Sequence, residues 1–177
     1  MRDWHKIFPG SESGQGKQMP QLLEFIQQYE LQDKRLLDFG CGKGGTMRWL
    51  SELYPTITVK GWDTGLDLYR KRPNPKQFDG IYSIDCFEHI ELEEVPSVID
   101  SLRQLSAPGS AWCHIIDLTP AKKRLPDGRN AHVTLITAQE WQDQFELAEC
   151  SVSQLRVFDQ PDPNFGVRKR CQIHCRP

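Results

Sequence analysis

No part of this 177-residue chain approaches the ~20 consecutive apolar residues of a membrane-spanning helix. The opening residues, Met1-Arg-Asp-Trp-His-Lys6, run into a Gly/Ser/Gln segment and not into the apolar core of a secretory signal. A soluble, cytoplasmic protein is therefore expected. An excess of one charge is also lacking. With 22 Lys+Arg against 24 Asp+Glu the net charge is -2, so nothing global attracts nucleic acid or an anionic membrane. Paired cysteine spacing is absent too. The six cysteines are scattered, and in a reducing compartment they read as free thiols. Cys171-Gln-Ile-His174-Cys175 is the nearest approach to a metal motif. Strand alternation sends His174 to the opposite face from Cys171 and Cys175, and no second ligand pair follows, so no metal is expected. The Gly-Lys-Ser/Thr spacing of a phosphate-binding loop is missing, and no internal repeat is visible. The length suits one domain over residues 19–177, preceded by a polar arm over residues 1–18 in which Trp4, Ile7 and Phe8 could dock on the body.

What is present centres on Asp38-Phe-Gly-Cys-Gly-Lys-Gly-Gly45. It follows the apolar pair Leu36-Leu37 and precedes the helix-like run Thr46-Met-Arg-Trp-Leu-Ser-Glu-Leu53. Strand, glycine turn and helix in that order form a nucleotide-binding corner. Glycines at 40, 42 and 44 allow a tight turn and close backbone approach, and the helix aims its free N–H groups at the ligand. Asp38 puts a carboxylate at the strand end, which suits an amino group or a sulfonium better than a pyrophosphate. Residues 56–62 form a β-rich run ending at Asp63, about 20 residues beyond the loop, the spacing of a ribose clamp. Residues 78–85 read as a buried strand leading into Cys86-Phe-Glu-His-Ile90.

Taken together, Asp38 to Gly44, Asp63 and the Glu88-His89 block resemble the class I S-adenosylmethionine-dependent methyltransferases. The likeness runs from about residue 35 onward. It implies an α/β, Rossmann-like three-layer sandwich, mostly parallel, with an antiparallel last strand. It implies S-adenosylmethionine as cofactor, a methyl transfer as the reaction, and a turn at Asp85 and Cys86 bordering the methionine part of the cofactor. The cofactor candidates are thus Asp38, Gly40, Cys41, Gly42, Lys43, Gly44, Asp63, Asp85 and Cys86. The chain has Asp85-Cys-Phe-Glu where amino-methylating nucleic-acid enzymes carry an Asn/Asp-Pro-Pro-aromatic block, which argues against a nucleic-acid acceptor. It departs from the family between Asp63 and Phe78. Only 14 residues lie there, too few for two crossovers, so the third strand should be missing or vestigial. In the family that strand contacts the adenine.

Beyond these motifs, Pro20 and the apolar spacing of residues 22–29 predict a first helix, residues 97–105 another, and Thr137-Ala-Gln-Glu140 a capping box opening a third. Pro108-Gly109 reads as a turn before a strand at 111–117. Residues 150–158 and 167–175 read as a terminal hairpin. The catalytic candidates are Asp85, His89 and His132. His89 lies four residues beyond Asp85, so on a helix the two would meet. The loop over residues 118–132 leaves a strand end on the cofactor side and is rich in cations. Lys122, Lys123, Arg124, Asn130 and His132 are its substrate candidates, and they suit a small, anionic acceptor. Two rivals stay open. Gly40-Cys-Gly-Lys-Gly-Gly45 also satisfies the Gly-x-Gly-x-x-Gly of an NAD-dependent oxidoreductase. The shortened sheet edge also suits a degenerate binding protein, or a homodimer or partner chain paired there.

Overall fold

The computed structural model describes Ile7, residues 18–162 and residues 166–177. Apart from Ile7 and Gln18, the expected N-terminal arm lies outside the described residues. Six strands form one sheet: β1 (Arg35–Phe39), β2 (Thr58–Trp62), β3 (Phe78–Ile84), β4 (Ser106–Asp117), β5 (Ser151–Asp162) and β6 (Gly166–Arg176). Their spatial order is β2-β1-β3-β4-β6-β5. The first four are parallel; β6 runs antiparallel to β4, and β5 to β6.

Among the described residues four helices cover the sheet: α1 (Pro20–Gln28), α2 (Gly45–Leu53), α3 (Val95–Leu105) and α4 (Ala138–Leu147). Strand alternation splits the core into two layers. Leu37, Ile81, Trp112 and Ile116 face α3 and α4, meeting Ile99, Leu102, Trp141 and Phe145. Leu36, Tyr82, Cys113 and Ile115 face the other way, meeting Leu22, Phe25 and Ile26 of α1 and Leu50 of α2. A sheet buried on both faces needs such apolar strands. The helix ends follow the sequence. Pro20 stands in the first turn of α1, and Thr137 and Glu140 close a reciprocal capping box on α4. No helix among the described residues is long and apolar enough to cross a membrane.

The shortened crossover is as expected. Between β2 and β3 the chain forms only a 3-10 turn at Asp67–Tyr69, so β2 stands at the sheet edge with no strand outside it among the described residues. The Pro108-Gly109 turn is a correction. The pair is absorbed into β4, which begins at Ser106, and the irregularity survives as a register shift against β3 and a left-handed Gly109, φ 78°. The chain leaves β1 toward β2 on one side, then returns to β3 on the other. The strand order therefore reverses between β1 and β3, the place where open α/β sheets hold ligands beyond their carboxyl ends.

Candidate active site

At that reversal the glycine turn leaves β1. Gly40, Gly42 and Gly44 all have left-handed backbones, with φ of 73°, 52° and 76°. Gly40 is constrained twice, because a Cβ there would stand 2.3 Å from Cys86 Sγ. The turns after β1 and β3 thus touch through a glycine and a thiol. Asp63 ties a third element to them. One carboxylate oxygen accepts from the Gly42 amide at 2.8 Å and the other from the Gly65 amide at 2.8 Å. Each oxygen has a second lone pair, so the carboxylate is held in place and can still accept from a hydroxyl.

Asp38 lies beneath this stitch, 4% exposed. Burial pushes its carboxyl up to about 7; the neighbouring Tyr82 hydroxyl pulls the other way, and Asp63 adds repulsion. Asp38 Oδ2, the Tyr82 hydroxyl and the Thr64 hydroxyl are shielded; Asp38 and Tyr82 interact, yet none of the three atoms makes a well-formed hydrogen bond among the described residues. Buried polar atoms left in this way call for a partner, which a bound ligand or water can supply. Cys41 turns inward, with its thiol over Gly61, and Lys43 is exposed at the tip of the turn, its carbonyl accepting from Arg48 at 2.9 Å. Burial, then the nearby acids Asp63 and Glu88, raise the Cys86 thiol well above its usual range, so it is a packing group and not a nucleophile.

On the other side of the crevice, buried side chains from three strand ends converge. The spacing pairs Asp85 with His89, but the structure gives Asp85 a different partner. Asp85 takes a left-handed backbone, φ 50°, and Phe87–His89 form a 3-10 turn, so the α-helical i, i+4 register never forms. Arg170 instead grips the Asp85 carboxylate with Nε at 2.9 Å and Nη2 at 3.0 Å. Arg170 also donates to Gln160 Oε1 at 2.8 Å, and Arg168 pairs with both Asp117 and Asp162. The sequence reading missed both arginines. They stand at alternate positions of β6, and the signal was Arg168-Lys-Arg170 in a strand, where alternation puts two cations on one face.

The 118–132 loop brings His132 to His89. Their ring centroids are 4.8 Å apart. Asn130 is a clasp within the loop: its carbonyl accepts from the Ala121 and His132 amides, and its amino group donates to Ala121 O at 3.0 Å. Arg124 donates to Gly128 O, while Arg129 bridges Asp127 and Glu91. Lys122 and Lys123 are exposed. Burial and then the adjacent His132 lower His89 to about 4, and burial also lowers His132, so both rings are neutral. His114 is far from this group in role: it stacks on Phe145 in the core and bonds Ser83 Oγ at 2.8 Å.

Residues 12–155 match the family described as "Methyltransferase domain". No curated protein matches the chain. Among solved structures, an S-adenosylmethionine-dependent methyltransferase from Methanosarcina mazei aligns at a TM-score of 0.65 and 14% identity, covering 85% of this chain and 95% of its own. A 1,6-didemethyltoxoflavin-N1-methyltransferase from Burkholderia thailandensis, bound to 1,6-didemethyltoxoflavin and S-adenosylhomocysteine, aligns at 0.67 and 12%, covering 98% and 82%. Phosphoethanolamine N-methyltransferase 2 from Haemonchus contortus, in complex with S-adenosylmethionine, aligns at 0.62 and 12%, covering 88% of this chain and 51% of its own. The chain thus spans about half the length of the Haemonchus enzyme. At these identities the likeness is one of fold.

Proposed function

Since this chain belongs to the methyltransferase-domain family, we propose that it transfers a methyl group from S-adenosylmethionine to a small acceptor, and that residues 19–177 form the single domain that does so. The observation that carries the reading is the shielded Asp38 carboxylate, with an oxygen that makes no well-formed hydrogen bond among the described residues, at the strand-order reversal. A buried acid with so high a pKa favours a cationic ligand, and the amino group and sulfonium of this cofactor supply positive charge. Asp63, held open by two amides, would accept from the ribose hydroxyls. Gly40, Gly42 and Gly44 let the backbone approach the methionine part, with Cys41 and Cys86 packing behind the turn. The relatives bound to S-adenosylmethionine or S-adenosylhomocysteine support the same cofactor.

The transfer is an in-line displacement. The acceptor's lone pair forms the new bond to the methyl carbon while the carbon–sulfur bond breaks, and the cofactor leaves as a neutral thioether. The donor is already activated, so the protein's task is to position the two molecules and exclude water. The acceptor would sit between the glycine turn and the 118–132 loop, bordered by Asp85, His89 and His132. Lys122 and Lys123, both exposed, favour an acceptor with an acidic group. Arg124 and Asn130 shape the loop that presents them. Isothermal titration of the protein with S-adenosylmethionine and S-adenosylhomocysteine tests the cofactor site. Saturable binding to both, lost in Asp63→Ala, is expected; heat from neither ligand would overturn the reading.

A further inference from the structure

Glu88, His89 and His132 have no place in the cofactor site, yet the fold gathers them. One nitrogen of each imidazole and one oxygen of the carboxylate all lie within 4.8 Å of one another. Glu88 and His132 are buried, and His89 is partly so. The orientation of the rings is fixed from behind. His89 Nδ1 lies 2.8 Å from Ala131 O, and His132 Nδ1 lies 2.5 Å from Thr119 O. A carbonyl only accepts, so each Nδ1 carries the proton and each ring keeps its lone pair on Nε2. An imidazole whose Nδ1–H is anchored on a backbone carbonyl offers its Nε2 lone pair in the way metal-ligating histidines do.

We propose that Glu88, His89 and His132 bind one divalent transition-metal ion. Two imidazoles and one carboxylate suit zinc, cobalt or iron better than magnesium, which prefers an all-oxygen shell. With metal–ligand bonds of about 2.0–2.2 Å, ligand atoms on one ion are separated by at most about 4.2 Å. The cluster therefore closes by a few tenths of an ångström on loading, a movement the 118–132 loop can supply through His132. Three protein ligands leave the ion at least one position for water or for an oxygen of the acceptor. Glu88 itself stands two residues after Cys86, which meets Gly40 of the glycine turn. An oxygen bound to the ion loses its proton far more easily than in water, which would ready it to attack a methyl group.

The metal proposal stands apart from the cofactor reading, and one sample tests both. Cobalt(II) is titrated into the full chain, followed by its visible d–d absorption, and S-adenosylmethionine binding is measured on the same preparation. One equivalent of cobalt is expected, displaced by zinc, with affinity reduced by more than about tenfold in His132→Ala and in Glu88→Gln. On the unaltered protein, nitrogen-15 spectra of the imidazoles should show two of the five histidines shifting at Nε2 when zinc is added. That readout needs no variant to fold. Cobalt that does not saturate, a thiolate-to-cobalt charge-transfer band placing the ion on cysteine, or Nε2 shifts at neither or only one of these rings would overturn the site. Cofactor binding without cobalt binding sinks the metal alone, and cobalt binding without cofactor binding sinks the cofactor reading alone.

Discussion

The two sides of the crevice are built in opposite ways. The proposed cofactor side is mostly backbone, drawn from residues 38–65: three left-handed glycines, two amides held by Asp63, and an acid on the strand before them. The proposed acceptor side is mostly side chains, drawn from β3, the 118–132 loop and β6, far apart in sequence and locked by buried ion pairs. A backbone site depends on φ and on the absence of a Cβ. A side-chain site depends on tertiary packing to bring charges together and to desolvate them. Each should fail in its own manner.

The largest expected effect is on the side-chain half. Arg170→Leu leaves Asp85 without its guanidinium, while Asp117 keeps Arg168, and should cost about 3–5 kcal/mol in urea unfolding. Arg170→Lys, which keeps the charge but not the two-pronged grip, should lose less. Equal losses would mean that geometry at Asp85 matters more than charge.

The backbone half should break at Gly40→Ala, where a positive φ and the 2.3 Å approach to Cys86 Sγ combine. About 2 kcal/mol of stability should go, together with cofactor binding. Adding Cys86→Ala should restore part of it, because the nearest atom is the sulfur. No rescue would place the whole cost in the backbone dihedral.

A smaller effect separates the two halves by pH. Asp38, with a carboxyl near 7, must ionise to meet a cation, so S-adenosylmethionine affinity should fall about tenfold for each pH unit below 7 and level off above it. Asp38→Asn should bind weakly and flatly across the same range. Stability should move oppositely. The unfolded chain releases this proton from about pH 4 while the folded one keeps it until about 7, so stability falls across that window. Asp38→Asn should therefore gain on the parent protein at pH 8 and not at pH 4. The smallest change expected is Thr137→Ala, which removes the α4 cap for about 1 kcal/mol and leaves cofactor affinity untouched.

The contrast also explains what could be read from the chain alone. The glycine turn, the capping box at Thr137 and the 14-residue gap after Asp63 are local, and local spacing with simple chain-length limits recovers them. Arg170 could not be reached in that way, because its partner Asp85 is 85 residues away and only the β4–β6 pairing brings them together. The Asp85–His89 pairing failed for a related reason. It assumed α-helical geometry that a left-handed Asp85 and a 3-10 turn do not provide. The three-residue cluster of Glu88, His89 and His132 was half visible as adjacent letters. Its third member comes from a loop whose path depends on Asn130 clasping Ala121.

The missing third strand has a dynamic consequence. β2 is five residues long, is paired on one side only, and is joined to β3 by a connection containing a single 3-10 turn. Such a segment can detach without disturbing β1, which keeps β3 on its other flank. Yet β2 ends beside Asp63, and Asp63 holds the glycine turn through Gly42. Occupancy of the proposed nucleotide site should therefore be coupled to closure of this edge, and a bound nucleotide should slow hydrogen exchange at amides 58–65, on the rim of the sheet, more than in the core.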